Sequence, residues 1–206
     1  MNGFDRQSFW DGVYKSKSET EVSWFEETPA LSLNLLRQAG LKPGMAFVDV
    51  GGGASRLVNE LDKIEHLDVT VLDVSATALE KAKSAMPDPS RVEWVVSDVT
   101  TWSPDRRYDL WHDRAVFHFL TAAEDQQAYI RVMSAALNDG GKAIIGTFAV
   151  DGPEKCSGLP TVRYDAVGLS SVLGDRFKLI STCQHRHTTP WNTVQSFQFS
   201  TFEKLT

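Results

Sequence analysis

Residues 48–55 read Val-Asp-Val-Gly-Gly-Gly-Ala-Ser, a glycine-rich turn that directly follows a short apolar run. Glycines in such a turn let a ligand approach the backbone closely, and a helix that follows it offers unpaired N–H groups. In open α/β sheets, nucleotides bind where the first strand gives way to a helix. This segment therefore predicts a nucleotide-type ligand site at the end of a first strand.

Short β-branched runs and helix-patterned segments alternate on both sides of this turn, which is typical of βα units around a parallel sheet. The runs are apolar throughout, as expected of strands covered on both faces. They predict strands at Ala46–Val50, Asp68–Asp73, Val92–Val96, 108–112 and 142–148. Two later runs, 177–187 and 193–203, flank a turn and predict an antiparallel hairpin. We expect an α/β fold of the Rossmann-like, doubly wound type, with a seven-stranded, mostly parallel sheet and a C-terminal antiparallel hairpin.

Helix signals lie between the predicted strands. Pro29 marks the first position of a helix that ends before Gly40, and Ser75 caps a helix that runs to residue 84. Thr121, with a glutamate three positions later, predicts a capping box for a helix that ends near residue 137 and is stopped by two glycines. Residues 149–163 are expected to be irregular and to precede a short helix at about 165–173.

Composition limits the classes of protein that remain. The chain has 206 residues, of which 42% are hydrophobic, so we expect one domain over residues 1–206 rather than a disordered chain. With two cysteines, the chain is not a fold held together by disulfide bonds. No apolar run approaches the roughly 20 residues of a membrane helix, and the N-terminus has no signal-peptide pattern, so a cytoplasmic protein is expected. The net charge of −6 with no basic cluster argues against nucleic-acid binding.

The glycine turn departs from the phosphate-binding patterns. A dinucleotide site requires Gly-x-Gly-x-x-Gly, but Arg56 stands where the third glycine belongs, and no Gly-Lys-Ser/Thr of a P-loop follows. Acidic residues instead end successive predicted strands: Asp49, Asp73 and Asp98. S-adenosylmethionine carries a sulfonium cation, an ammonium group, ribose hydroxyls and an adenine amine but no phosphate, so its donors require such acceptors. Asp73 lies about 20 positions after the first glycine, where nucleotide folds hold ribose hydroxyls.

These motifs resemble the class I S-adenosylmethionine-dependent methyltransferases over nearly the whole chain. The matching segments are 48–53, 71–75, 96–99 and 108–113, in the order and spacing of that family. The resemblance implies that the chain is an S-adenosylmethionine-dependent methyltransferase and assigns roles residue by residue. It implies that Gly51 and Gly53 cradle the cofactor, Asp49 orients the loop or the cofactor's amino group, Asp73 holds the ribose, Asp98 and the Val99 N–H bind adenine, and Val74 packs on the adenine face.

Ser23-Trp24-Phe25 resembles a segment of a methyltransferase subgroup that includes lysine methyltransferases of elongation factor and of citrate synthase, together with bacterial relatives. By that resemblance Trp24 covers the methionine end of the cofactor, Tyr14 lines the same cavity, and residues 1–27 form a lid over a core of residues 28–206. The alternative is that these aromatic residues only anchor the N-terminal segment to the core.

Residues after the fourth predicted strand are candidates for the acceptor side. Asp113 is the first choice for a catalytic and cofactor-contacting group beside the methionine end, and His118 is a candidate base. His185 and His187 share one face of a predicted strand, but two histidines without a third ligand make an incomplete metal site, so no metal is expected.

The leading hypothesis is therefore methyl transfer from S-adenosylmethionine to a small-molecule or protein nucleophile, lysine among the possibilities. Two alternatives stay open: a nucleotide-dependent oxidoreductase of the Rossmann type and a noncatalytic binding protein on the same fold. The sequence gives no indication of the oligomeric state.

Overall fold

The computed structural model describes residues 5–206; residues 1–4, with which the predicted lid begins, lie outside the described residues. The strands are β1 Ala46–Val50, β2 Asp68–Asp73, β3 Val92–Val96, β4 Tyr108–Arg114, β5 Leu137–Phe148, β6 Lys155–Cys156, β7 Leu159–Pro160, β8 Phe177–Thr188 and β9 Val194–Lys204. The helices are α1 Arg6–Ser16, α2 Ala30–Gln38, α3 Leu57–Leu61, α4 Ala76–Ser84, α5 Ala123–Ala136 and α6 Ala166–Leu173.

Seven strands form one sheet in the order β3-β2-β1-β4-β5-β9-β8. The first five strands pair in parallel, whereas β9 pairs antiparallel with both β5 and β8. The strand order reverses between β1 and β4, which is the crevice where ligands bind in open α/β sheets. The expected Rossmann-like sheet with its C-terminal hairpin is confirmed.

The sheet is covered on both faces because successive side chains of each strand point to opposite sides. On one face, Phe47 packs in an apolar cluster with Leu36 of α2. On the other face, Trp111 packs in a second cluster with Tyr129 of α5. This alternation determines which polar residues of β1 and β4 point to which face.

The predicted capping box of α5 is wrong. The residue before the helix is Ala122, which makes no side-chain cap hydrogen bond, and Gln126 instead donates to the Leu120 carbonyl at 2.8 Å. The helix also ends at Ala136, before the two glycines, because the chain turns extended at Leu137 and continues as β5. The glycines therefore lie in a strand rather than stopping a helix.

Other helix predictions differ less. The Ser75 hydroxyl does cap α4, accepting from the Ala78 N–H at 3.1 Å. Pro29 lies one position before α2 rather than at its first position. The stretch expected to be irregular contains the small β6–β7 hairpin. Among the helices of residues 5–206, none combines the length and apolar character that a membrane crossing requires.

Candidate functional site

A cavity of about 900 Å³, its open mouth included, lies at the carboxyl ends of the central strands. Most of the residues that the sequence singled out for the cofactor line this one cavity. They are Tyr14, Trp24, Gly51, Asp73, Val74, Asp98 and Val99. Groups from three separate predicted strand ends and from the N-terminal segment thus meet at one place.

The glycine turn has no room for side chains. Gly51 has φ +68°, and a Cβ placed on it would lie 2.1 Å from Cγ2 of Val116. Gly53 has φ +40°, and its Cβ would lie 2.8 Å from Oδ2 of Asp73. A Cβ on Gly52 would lie 2.6 Å from Cγ1 of Val71. A side chain at Gly52 therefore requires Val71 to move.

Asp73 ends β2 and is buried at the cavity wall. Its Oδ1 accepts a hydrogen bond from the Ser75 N–H at 2.8 Å. Burial raises the pKa of Asp73 to about 7, against the hydrogen bond from Ser75 and with the charge of Asp49 adding to the rise. A desolvated carboxylate that retains free acceptor capacity suits a ligand that brings hydroxyl donors.

Asp98 follows β3 and is held from two sides. Nη1 of Arg6 donates to its Oδ2 at 2.8 Å, and the Thr100 N–H donates to its Oδ1 at 2.8 Å. Burial opposes ionisation, but the hydrogen bonds from Arg6 and Thr100 keep the pKa of Asp98 below its usual value. The carboxylate is therefore charged and fixed in orientation at the cavity wall.

Asp49 does not line the large cavity. Its Oδ1 lies 2.7 Å from Nδ1 of His112, its register partner on β4, and Nε2 of His112 lies 3.0 Å from the Ser32 hydroxyl. All three side chains are buried, and all three line a second, smaller pocket beside the glycine turn. The sequence did not predict the roles of His112 and Ser32, although parallel pairing of strands one and four brings Asp49 beside His112.

Helix α1 covers the cavity. Arg6 at its start contacts Asp98, and its Nη2 also donates to Asp125 at 2.5 Å. Asp11 accepts from the Ser75 hydroxyl at 2.6 Å and from the Thr77 N–H at 3.1 Å, so it caps α4 from outside. The start and the middle of the cover are thus tied to groups at the carboxyl edge of the sheet.

Three aromatic residues, which we call the aromatic roof, close the cavity from above: Trp10, Tyr14 and Trp24. The ring centroids of Trp10 and Trp24 are 5.8 Å apart, and those of Tyr14 and Trp24 are 6.1 Å apart. Burial raises the pKa of Tyr14 far above its ordinary value, so its phenol stays protonated. The sequence singled out Tyr14 and Trp24 but did not assign a position to Trp10.

Asp113 and His118 do not line the cavity, in contrast to the expectation from sequence. Asp113 lies on the same face of β4 as Trp111 and therefore points toward α5, where Tyr129 donates to it at 2.6 Å. It also accepts from the N–H groups of Val116 and Phe117 at 2.8 and 3.0 Å. Burial raises the pKa of Asp113 to about 6.

His118 is fully buried between aromatic rings, with centroids 4.6 Å from Phe148 and 4.5 Å from Phe119. Its Nδ1 accepts from the Phe148 N–H at 3.3 Å. Burial lowers the pKa of His118 to about 3, so the imidazole is neutral at physiological pH. A neutral imidazole of such low basicity is poorly matched to a general base.

The end of the cavity away from Asp98 is bounded by apolar rings and one cation. Arg114 donates to the Trp24 carbonyl at 2.9 Å, and its guanidinium lies 5.7 Å from the ring centre of Phe197. Burial lowers the pKa of Arg114. Cys156 also lines this end, where burial raises the pKa of its thiol. Arg163 contacts Glu154 at the surface.

The comparisons with known proteins agree with this geometry. Residues 47–141, just under half of the chain, match the model of a family described as a methyltransferase domain. The chain is 27% identical over 110 residues to malonyl-(acyl-carrier protein) O-methyltransferase 1 of Ilyobacter polytropus, covering 53% of this chain and 40% of that protein. It is 28% identical over 79 residues to nodulation protein S of Rhizobium tropici, covering 38% of this chain and 33% of that protein. The chain thus spans less than half the length of each of these two relatives.

Solved structures share the fold over nearly the full chain. One, described as converting a disulfide bond into a thioacetal group during echinomycin biosynthesis, has a TM-score of 0.75 at 21% identity and covers 97% of this chain and 93% of its own. The N-methyltransferase NodS of Bradyrhizobium japonicum, in complex with S-adenosylhomocysteine, has a TM-score of 0.74 at 16% identity and covers 94% of this chain and 97% of its own. At these sequence identities, the structural similarity shows a shared fold and nothing more.

Proposed function

We propose that this chain, whose residues 47–141 match the methyltransferase domain family, transfers a methyl group from S-adenosylmethionine to a small-molecule nucleophile. The family match, the names of the curated relatives and the fold together support an S-adenosylmethionine-dependent methyltransferase. They support neither the nicotinamide-dependent alternative nor a role limited to binding.

The observation that carries the proposal is the pair of carboxylates at neighbouring strand ends in one cavity. Asp73 and Asp98 line the same space as the Gly51 turn, under the aromatic roof. A ligand that suits this lining offers hydroxyl and amine donors to the two carboxyl groups and presents an apolar ring. An adenosine bound to a sulfonium amino acid has these properties.

Each of these residues would contact a different part of S-adenosylmethionine. Asp73 would accept from the ribose hydroxyls, Asp98 from the adenine amine, and the Val99 N–H would donate to the ring, while Val74 packs on its face. Gly51 and Gly53 give the backbone the close approach that the methionine end needs. When bound, S-adenosylmethionine supplies an electrophilic methyl group attached to a sulfonium.

Asp49 contributes from the smaller pocket on the other side of the glycine turn. The His112–Ser32 pair fixes the orientation of its carboxylate, which favours a role in holding the turn or a cationic amino group. Glu26, Arg56 and Arg114 line the same pocket and add charges of both signs. Such a pocket is suited to the ammonium and carboxylate of an amino-acid moiety.

We assign Asp113 a positioning role instead of a catalytic one. Its carboxylate holds the N–H groups of Val116 and Phe117, and Val116 is the residue that packs against Gly51. His118 lies between Phe119 and Phe148, both of which line the cavity, so it acts through packing. Both residues would influence methyl transfer by keeping the cavity wall in place.

The chemistry of the lining favours an acceptor that needs no strong base. Among the described residues at the acceptor end, Arg114 is cationic, and Tyr14 and Cys156 hold their protons because burial raises their pKa values. Methyl transfer at a sulfonium requires alignment and exclusion of water more than proton transfer. A carboxylate, a thiolate or a heteroaromatic nitrogen therefore fits better than an alkylammonium, which must first lose a proton.

The Ser23-Trp24-Phe25 segment keeps a protein lysine as the second candidate acceptor, since Trp24 does belong to the roof. The two candidates differ in their demand for a base and therefore in their pH dependence.

The test is an acceptor survey with the purified chain, in which formation of S-adenosylhomocysteine reports turnover. We expect turnover with one class of small carboxylic acid, thiol or nitrogen heterocycle and none with lysine-bearing proteins. The Asp73→Asn variant should lose this turnover, whereas the matched surface variant Asp175→Asn should keep it. Turnover confined to protein lysines would contradict the small-molecule proposal.

A further inference from the structure

Three metal-ligating side chains from two distant parts of the chain converge beside the aromatic roof. Glu26 precedes α2, whereas His185 and His187 lie two positions apart on one face of β8. Nδ1 of His187 is 3.6 Å and Nε2 of His185 is 3.9 Å from Oε1 of Glu26. All three ligand atoms lie within 4.8 Å of one another. Glu26 is the third ligand that could not be identified from the sequence.

The hydrogen bonding of His187 leaves Nδ1, the nitrogen that faces Glu26, free to bind a metal ion. Its Nε2 lies 2.6 Å from the Ser23 carbonyl, which can only accept, so the proton is on Nε2. Nδ1 then carries a lone pair directed toward Glu26. A ligating histidine characteristically donates its other N–H to a carbonyl or carboxylate, which fixes the tautomer and the ring orientation. His187 is also almost fully buried, so this orientation is held by packing.

The charge states also suit a cation. Burial lowers the pKa of His185, so its imidazole is neutral near physiological pH. Burial disfavours ionisation of Glu26, but its contact with His187 and the charge of Arg114 keep its pKa below the usual value. Histidine binds metals through a neutral imidazole, and glutamate through its ionised carboxylate.

We propose that Glu26, His185 and His187 form a binding site for a divalent transition-metal ion of the Zn²⁺ type. Bonds of about 2.0–2.2 Å in a tetrahedral site separate neighbouring ligand atoms by roughly 3.4 Å. Both histidine nitrogens are already close to that distance from Glu26, so small side-chain rotations suffice. The three ligands leave a fourth position for water or another ligand.

Arg114 limits the metal affinity of the site. Its Nη2 lies 3.3 Å from the same Oε1 of Glu26, without a hydrogen bond, so a metal ion competes with the guanidinium for that oxygen. The positive charge of Arg114 opposes a second cation, and we therefore expect micromolar rather than nanomolar affinity. Because Glu26 precedes α2 and both histidines lie on β8, the ion would tie the end of the N-terminal segment to the C-terminal hairpin.

The test is a calorimetric titration of the metal-stripped, tag-free chain with Zn²⁺, together with the visible absorption spectrum of the Co²⁺ complex. We expect one Zn²⁺ per chain, a rise in melting temperature, and a tetrahedral or five-coordinate Co²⁺ spectrum. Glu26→Gln, His185→Asn and His187→Asn should each weaken Zn²⁺ binding by at least about tenfold.

The matched control is His66→Asn, which removes an exposed histidine at φ +58°, a conformation that asparagine tolerates. It should leave Zn²⁺ affinity unchanged. His185→Asn is the most exposed of the three ligand variants, so it serves as the decisive variant if the others fail to fold. A wild-type dissociation constant above roughly 100 µM, or equal affinity in wild type and His185→Asn, would overturn the proposal.

Discussion

At the scale of single residues, the central prediction concerns Asp73. Replacing it by asparagine keeps the shape and removes the charge, so we expect cofactor binding to weaken by about 1–3 kcal/mol through loss of charge-assisted hydrogen bonds. Calorimetry with S-adenosylhomocysteine measures this. Asp175→Asn, an exposed aspartate away from the cavity lining, is the control and should bind as wild type does.

The raised pKa of Asp73 gives cofactor binding a pH dependence. With a pKa of about 7 in the empty protein, Asp73 is mostly protonated below pH 7, and the neutral acid accepts hydrogen bonds less strongly. The cofactor prefers the ionised form, so affinity should fall as pH decreases through 7, by at most about tenfold per pH unit, and level off above it. Asp73→Asn should flatten this dependence; a slope that survives the substitution must come from another group.

The close packing around the glycine turn predicts that a side chain at Gly52 destabilises the protein. Gly52→Ala places a Cβ 2.6 Å from Val71 and 2.8 Å from Oδ2 of Asp49, so we expect a loss of roughly 1–3 kcal/mol in unfolding free energy and weaker cofactor binding. Gly12→Ala is the matched control, since it lies in α1 with nothing within 4 Å of the new Cβ. It should be neutral or stabilise the protein by up to about 1 kcal/mol. Equal melting temperatures for the two variants would show that the turn has room.

Sequence reasoning at this scale identified most of the residues that line the cavity, but it also placed Asp113 there. Asp73, Asp98 and the glycines follow from their positions at strand ends, where any parallel sheet brings them to one edge. The direction of the Asp113 side chain depends on the face of β4 from which it projects. It projects from the same face as Trp111, toward α5. The partners of Asp49 likewise required knowledge of which strand lies beside β1.

At the scale of elements, the candidate site depends on α1 being ordered. Arg6 joins it to Asp98 and Asp125, and Asp11 joins it to the start of α4. Arg6→Gln should therefore loosen the start of α1, raising amide exchange in the cover more than in β1 or β4, and weaken cofactor binding severalfold. Lys15→Gln, at an exposed position of the same helix, should change neither quantity. Exchange unchanged by Arg6→Gln would mean that the aromatic roof alone holds the cover.

The elements themselves were predictable to different degrees. The strands β1, β2 and β4 carry a strong signal because their apolar runs are buried on both faces, whereas α1 has only Tyr14 buried and few apolar residues to mark it. The start of α5 was misassigned because Thr121 and Glu124 fit a capping pattern that the backbone does not use. The β6–β7 hairpin spans two residues per strand, too short for any periodicity.

At the scale of the whole molecule, the mostly parallel sheet and the chemistry of its carboxyl edge are what the sequence specifies most firmly. The sheet reverses its order between β1 and β4, and the cavity opens at that reversal. What composition and pattern do not specify is contact between segments far apart in the chain, such as Arg6 with Asp98 or Glu26 with His187. These contacts turn an open edge into a covered cavity.

The most direct measurement is calorimetric titration of the purified chain with S-adenosylmethionine and S-adenosylhomocysteine, with NAD and NADP as comparison ligands. We predict micromolar binding of the first pair, no binding of the dinucleotides, and weaker binding of the first pair in Asp73→Asn but not in Asp175→Asn. Binding of a nicotinamide dinucleotide alone, or of none of the four ligands, would contradict the assignment of this cavity to S-adenosylmethionine.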